Sequence, residues 1–252
     1  MGYRRRGSHA LCPVSSCPVL VPELDTRLRG LAAQPPRRDG EWELAFGSGR
    51  ARAVPLGPQG GERVFLEVGG ERIGFSPGVF AQSNALLLET LVERVAASAG
   101  SGALALELFA GAGFLTLRLA RRFGRVVALE ASAAAVRDLR ANLRGADLEG
   151  VEVHERRVEL SAALFRRLAP DVVVLDPPRT GLPAGAVAAL ATSGARRIVY
   201  LSCDPATLAR DLVGFRERGY QLRRVEGFDL FPQTPHVEAL AVLEAERDVR
   251  PQ

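Results

Sequence analysis

From residue 103 onward, short apolar and β-branched runs alternate with stretches whose apolar residues recur every three or four positions. The runs at 103–109, 126–129, 151–154, 172–175 and 198–201 read as strands. Helical spacing follows each of them, at 114–122, 133–143, 160–168, 184–192 and 205–218. Two further runs, 221–227 and 237–243, succeed each other without a full helix between them. Strands that alternate with helices predict an α/β fold, a doubly wound, mostly parallel sheet of seven strands with helices on both faces. The last two strands predict a hairpin at one edge. Ahead of the sheet, Leu86, Leu87, Leu91, Val92 and Val95 recur at helical spacing and mark a helix over 85–99.

Residues 1–74 carry a different pattern, rich in Gly, Pro and Arg. Short alternating pieces, Trp42-Glu43-Leu44-Ala45-Phe46 and Arg63-Val64-Phe65-Leu66-Glu67-Val68, read as strands between turns such as Gly57-Pro58 and Gly60-Gly61. One short helix is expected near 22–32. The chain thus divides into a small β-containing region, 1–74, and an α/β domain, 75–252.

In an open parallel sheet the ligand crevice lies at the carboxyl ends of the strands. There the sequence places a glycine loop (Ala110-Gly111-Ala112-Gly113), Glu130, Asp176-Pro177-Pro178, Ser202-Cys203-Asp204-Pro205 and the stretch before Val237. Gly111 and Gly113 let backbone approach a ligand closely. Glu130, at the second strand end, is placed to hold a ribose diol through its two oxygens. Leu115 and Thr116 stand where a dinucleotide fingerprint has its third glycine. That argues against a pyrophosphate and for S-adenosylmethionine over a nicotinamide cofactor. Cys203, between a strand end and a helix start, is expected to have its thiolate stabilised by the helix dipole. Gln82 and Asn84 precede an apolar stripe, and two amides there are either caps or ligand contacts. Spacing alone favours caps.

Composition narrows the setting. The chain has 252 residues, 47% hydrophobic, enough to bury a full core. No apolar run approaches the roughly 18 residues of a membrane span, so a cytoplasmic protein with no membrane partner is expected. All 33 basic positions are arginine and the net charge is +4. Arginine forks suit phosphate, which adds weak support for a nucleic-acid partner. Cys12, Cys17 and Cys203 are too few for a disulfide framework. The C-x4-C pair cannot complete a four-coordinate site, so no metal is expected.

Five ordered motifs resemble the RNA uracil-C5 methyltransferase family, whose members make 5-methyluridine in rRNA or tRNA. They are Phe80-Ala81-Gln82-Ser83-Asn84, Leu108-Phe109-Ala110-Gly111-Ala112-Gly113, Leu175-Asp176-Pro177-Pro178-Arg179-Thr180-Gly181, Ser202-Cys203-Asp204-Pro205-Ala206-Thr207-Leu208-Ala209-Arg210-Asp211, and Phe231-Pro232-Gln233-Thr234-Pro235-His236-Val237-Glu238. The resemblance implies a Rossmann-like class I methyltransferase fold and S-adenosylmethionine as cofactor. It also implies an RNA substrate, rRNA or tRNA. It assigns Cys203 as nucleophile, Glu238 as the base for the C5 proton, and Gln82, Phe109, Glu130 and Asp176 as cofactor contacts.

Several features depart from that family. The family usually opens with an oligonucleotide-binding barrel, and many members carry a four-cysteine iron-sulfur cluster. This sequence starts within the region that follows the barrel and keeps only Cys17 at a cluster position. The cluster is expected to be absent and RNA affinity to be reduced or supplied by a partner. Asp204 stands where the family has Asn, and its charge is expected to raise the thiol pKa. Arg156 replaces an amide near the adenine, and Phe114 a small polar residue after the glycine loop. A non-catalytic RNA-binding module that kept the fold is the alternative reading, and having both Cys203 and Glu238 counts against it. A nicotinamide dehydrogenase and a cytosine-C5 methyltransferase are further readings, disfavoured by the broken fingerprint and by the lack of a second cysteine at the crevice.

Overall fold

The computed structural model describes residues 2–5, 8, 10–37, 39–56, 61–82 and 84–246. The expected turn residues Gly57, Pro58 and Gly60 lie outside that set. The chain groups into two compact units, Met1–Glu67 with Gly74–Val79, and Val68–Ile73 with Phe80–Gln252.

The smaller unit is built from hairpins and one helix. Strands β1 (Gly2–Arg4) and β2 (Leu11–Pro13) pair antiparallel. Helix α1 (Pro22–Ala33) opens on a proline, whose missing N–H costs nothing in a first turn, and buries Leu28 and Leu31. Strands β3 (Trp42–Gly47) and β4 (Arg50–Pro55) form a hairpin. A further two-stranded sheet pairs β5 (Val64–Val68) with β6 (Glu71–Phe75), and its turn end, Val68–Ile73, groups with the larger unit. Gly69 and Gly70 turn the second hairpin with φ of 56° and 80°, the left-handed pair that a two-residue turn demands. Apolar alternation marks β3 and β5. Their partners are harder to read from the sequence, because β4 alternates arginine with alanine and β6 contains Gly74.

The larger unit is the α/β domain. Helix α2 (Ala85–Ala99) leads into β7 (Gly102–Leu108), α3 (Thr116–Ala120), β8 (Phe123–Glu130), α4 (Ala133–Gly145) and β9 (Val151–Glu155). A single 3₁₀ turn and α5 (Ala162–Leu168) then precede β10 (Val172–Leu175), α6 (Ala186–Ala191), β11 (Arg197–Ser202), α7 (Pro205–Arg216), β12 (Tyr220–Phe228) and β13 (Glu238–Ala245). The seven strands run in the order β12-β13-β11-β10-β7-β8-β9. The five from β11 to β9 are parallel, and β13 is antiparallel to both β11 and β12. This is the doubly wound sheet expected. The terminal hairpin is at the edge in one strand only, since β13 inserts between β12 and β11.

Side chains alternate across the sheet. Leu106, Leu108, Val127, Leu129, Val173, Leu175, Ile198 and Tyr200 join Phe165, Leu190, Leu208 and Phe215 of α5, α6 and α7 in one buried layer. The intervening residues, among them Ala105, Val126, Ala128 and Val174, are equally buried on the other face. Burial on both faces explains why β10 reads Val-Val-Val-Leu without polar alternation. Helix α3 is shorter than the expected 114–122, and β8 begins earlier than expected, at Phe123, paired with Gly102. Among the described residues no helix is long and apolar enough to cross a membrane.

Candidate active site

Register alone gathers most of the candidate residues. Leu108 pairs with Leu129 on one side and Leu175 on the other, and Leu175 pairs with Tyr200. One step beyond these partners stand Phe109, Glu130, Asp176 and, past Leu201 and Ser202, Cys203. From the antiparallel side, Ser202 pairs with Ala239, so Glu238 comes opposite the Cys203 position. The entry to β13 is fixed locally. The Thr234 hydroxyl donates to the Phe231 carbonyl at 2.7 Å and accepts the His236 N–H at 3.2 Å. Asn84 Nδ2 donates to the Leu230 carbonyl at 3.2 Å.

Two cavities open here, with Phe109 in the wall of both. The larger, about 470 Å³, is lined by Glu130, Arg156, Arg157, Val158, Pro178 and Leu182 among others. The smaller, about 50 Å³, is lined by Gln82, Glu107, Gly111, Phe114, Asp176 and neighbouring apolar side chains. Phe109 has φ of 60°, a left-handed conformation that is strained for a bulky residue and uncommon outside functional sites.

The two glycines serve different ends. A Cβ on Gly111 would meet no atom within 4 Å, so its face is open to the cavity. A Cβ on Gly113 would lie 2.5 Å from Leu139 Cδ1. Gly113 therefore lets the turn pack on α4, and it lines neither cavity. Asn142 of α4 pins the same turn by donating to the Ala112 carbonyl at 2.8 Å. Glu130 closes it from the other side, with Oε2 accepting the Gly111 N–H at 2.9 Å and Oε1 the Ser132 N–H at 2.7 Å. The two amides separate as well. Asn84 caps α2, accepting from the Leu86 and Leu87 N–H groups at 3.2 Å each, whereas Gln82 lines the smaller cavity.

The electrostatics of the crevice are dominated by buried carboxyls. Burial pushes Glu238 up to about 7, and its Oε1 has no hydrogen-bond partner. Burial, with Glu238 nearby, pushes Asp176 up to about 8. Glu107 is also raised to about 8, chiefly by burial, with the Thr116 hydroxyl pulling it down and Asp176 and Glu130 adding to the rise, and its Oε2 has no hydrogen-bond partner. Glu107 escaped the sequence reading as a site residue. Its signal was a lone acid inside the otherwise apolar run 103–109.

One expectation about the thiol needs correcting, the role of Asp204. Cys203 is half-buried, and its pKa is raised by burial and by Glu238 and Asp176, with Arg179 pulling it down. Asp204 is not among the charges acting on Cys203. Its carboxylate caps α7, accepting the Ala206 and Thr207 N–H groups at 3.0 Å each, and those bonds hold it below the usual carboxylate range. Arg156 faces the larger cavity, and Phe114 the smaller. In the smaller unit Cys12 is exposed and Cys17 half-buried, both as free thiols.

Comparison with known proteins follows the same outline. A sequence model of the tRNA (uracil-5-)-methyltransferase family matches residues 64–246. The 23S rRNA (uracil(1939)-C(5))-methyltransferase of Pseudomonas fluorescens is 33% identical over 290 aligned residues, covering 97% of this chain and 64% of that protein. An uncharacterized RNA methyltransferase of Streptomyces avermitilis is 41% identical over 172 residues, 66% of this chain and 39% of the relative. The chain therefore spans less than two thirds of the length of these relatives. Among solved structures, the Pyrococcus abyssi tRNA (uracil-54, C5)-methyltransferase in complex with S-adenosyl-L-homocysteine superposes with a TM-score of 0.63 at 27% identity. That match covers 77% of this chain and 46% of the other. The sheet is that of a class I methyltransferase, and the chain belongs to the tRNA (uracil-5-)-methyltransferase family.

Proposed function

We propose that this chain transfers a methyl group from S-adenosylmethionine to C5 of a uridine in RNA, with Cys203 as nucleophile and Glu238 as base. The observation that carries the reading is the register that sets Glu238 opposite the Cys203 position, in one crevice with Asp176.

The crevice fits the cofactor. Glu107 Oε2 is a buried acceptor without a partner, of the kind an ammonium group would satisfy. Gly111 leaves an open face beside it. The larger cavity, about 470 Å³, combines the Glu130 carboxylate with the apolar walls of Phe109 and Val158, as a nucleoside requires. Gln82, Phe109, Gly111, Glu130 and Asp176 would hold the group, and Gly113 would shape the turn. When bound, S-adenosylmethionine supplies an electrophilic methyl on a sulfonium centre.

Uracil C5 is a poor nucleophile until the ring is saturated at C6. Cys203 Sγ adds to C6, and the displaced electron pair is delocalised as an enolate over C5 and O4. C5 then takes the methyl. Glu238 removes the C5 proton, the C6–S bond breaks, and the double bond and the Cys203 thiolate are restored. A carboxyl pushed up to about 7 has the affinity that a base working near neutrality needs. A buried, unpartnered carboxyl is costly, and a binding module has no use for it.

The test is incubation with 5-fluorouridine-substituted 23S rRNA and tRNA plus S-adenosylmethionine, read on a denaturing gel. Fluorine at C5 cannot leave as a proton, so a covalent protein–RNA band is expected with one of the two RNAs, and none with Cys203→Ala. Methylation of uridine C5 by Cys203→Ala would overturn the mechanism.

A further inference from the structure

Beneath the Cys203 turn, one buried carboxylate ties the loop after β10 to helix α7. Asp211 Oδ2 accepts the Tyr200 hydroxyl at 2.7 Å and the Leu182 N–H at 2.8 Å, and Oδ1 accepts Arg210 Nε at 2.9 Å. Arg210 Nη2 donates onward to the Thr180 carbonyl at 3.0 Å. The Thr207 hydroxyl donates to the Arg179 carbonyl at 3.1 Å. Backbone groups at Arg179, Thr180 and Leu182 are thus held by side chains of α7. Gly181, at φ of 73°, presses so close that a Cβ would lie 2.5 Å from Arg210 Nη2 and 2.7 Å from Asp211 Oδ2.

A carboxylate 4% exposed within the apolar layer of Leu182, Tyr200, Leu208 and Phe215 is an expensive way to hold a loop. Apolar side chains would fill the space with less desolvation. They would not bond a loop donor, a tyrosine hydroxyl and an arginine fork together. The loop so fixed carries Arg179, the cation nearest in effect to Cys203.

We propose that Asp211, clamped by Arg210, is a positioning residue for Cys203. It locks the 177–182 loop onto α7, where Thr207, four residues past Cys203, bonds the Arg179 carbonyl at 3.1 Å, and so keeps the backbone that carries the Arg179 charge at the Cys203 end of that helix. The inference rests on the reading of Cys203 as nucleophile. Three charged groups act on that thiol: Glu238 from β13, Asp176 at the end of β10, and Arg179 in the following loop. The two carboxyls disfavour the thiolate and the guanidinium favours it, so a loop set free costs Cys203 its one favourable charge.

The test is the pH dependence of Cys203 alkylation by iodoacetamide on the full chain without RNA. Peptide mass spectrometry separates Cys203 from Cys12 and Cys17. Arg210→Lys keeps the charge and loses the fork. Arg210→Lys and Asp211→Asn are each expected to move the alkylation midpoint to higher pH, slowing the reaction at neutral pH roughly three- to tenfold. Arg179→Ala is expected to do the same, and adding Arg210→Lys to it should produce no further shift. Variants that lower Tm while the midpoint stays in place would overturn the proposal. Should Asp211→Asn fail to fold, Arg210→Lys decides alone, since that side chain is more than half exposed. The readout is separate from methyl transfer, so a Cys203→Ala enzyme that still methylates would sink the nucleophile reading and leave the alkylation result standing.

Discussion

Glu130 and Glu238 stand at the same end of one sheet, and the chain treats them in opposite ways. Glu130 spends both oxygens on backbone N–H donors, at Gly111 and Ser132, and by doing so closes the glycine turn. Glu238 is 1% exposed, keeps Oε1 unpartnered and is pushed up to about 7. The difference separates a carboxylate that maintains shape from one left short of partners and free to take a proton. Burial without satisfaction is the mark of the second kind.

The comparison breaks most visibly at Glu238. Glu238→Gln should cut turnover on the order of 10²- to 10⁴-fold and let a Cys203–RNA adduct accumulate with unmodified RNA. Turnover within tenfold of wild type, measured by methyl incorporation, would remove Glu238 from the role of base. Glu130→Ala should act differently, loosening the turn at Gly111. Its KM for S-adenosylmethionine should rise roughly tenfold, with kcat largely retained. A fall in kcat alone would mean that the two carboxylates are not divided as described.

The pH profile sharpens the same contrast. Glu238 must be deprotonated to act as base and Cys203 to act as nucleophile, and both are shifted upward. In the free enzyme kcat/KM should therefore climb through about pH 7, and a profile falling between about pH 6 and 8 would contradict the assignment. The smallest effect is on stability. Glu107 is raised from an ordinary carboxyl value to about 8 in the fold. Its contribution is present below the unfolded value of about 4.3 and is lost as pH rises through about 8. Glu107→Gln should raise Tm by several degrees at pH 9 and leave it unchanged near pH 3.5, below both values. Equal shifts at both pH values, seen by calorimetry, would exclude titration as the cause.

The alternation of strands and helices was legible because β7, β8, β10 and β11 are buried on both faces over their inner residues and read there as near-continuous apolar runs. The crevice was legible because parallel strands present their ends together, so Glu130, Asp176 and Cys203 followed from topology alone. What each group does there was less accessible. Asp204 reads as a charge beside a thiol until its carboxylate is seen bonded to the start of α7. Gly111 and Gly113 are alike in sequence, yet only the packing of Leu139 tells which one faces the ligand side. Glu107 was hidden in a strand. The link from Asp211 to Leu182 spans 29 positions, and no local pattern encodes such a bond.

β13 is the last strand of the sheet in chain order, yet it lies between β11 and β12. Among the strands β12 pairs only with β13, so it cannot join the sheet before β13 has been made. On a ribosome the five parallel strands, and Cys203 just past the last of them, emerge well before Glu238 does. One late insertion therefore covers the edge of β11 and brings the Glu238 carboxyl opposite the Cys203 position in the same step.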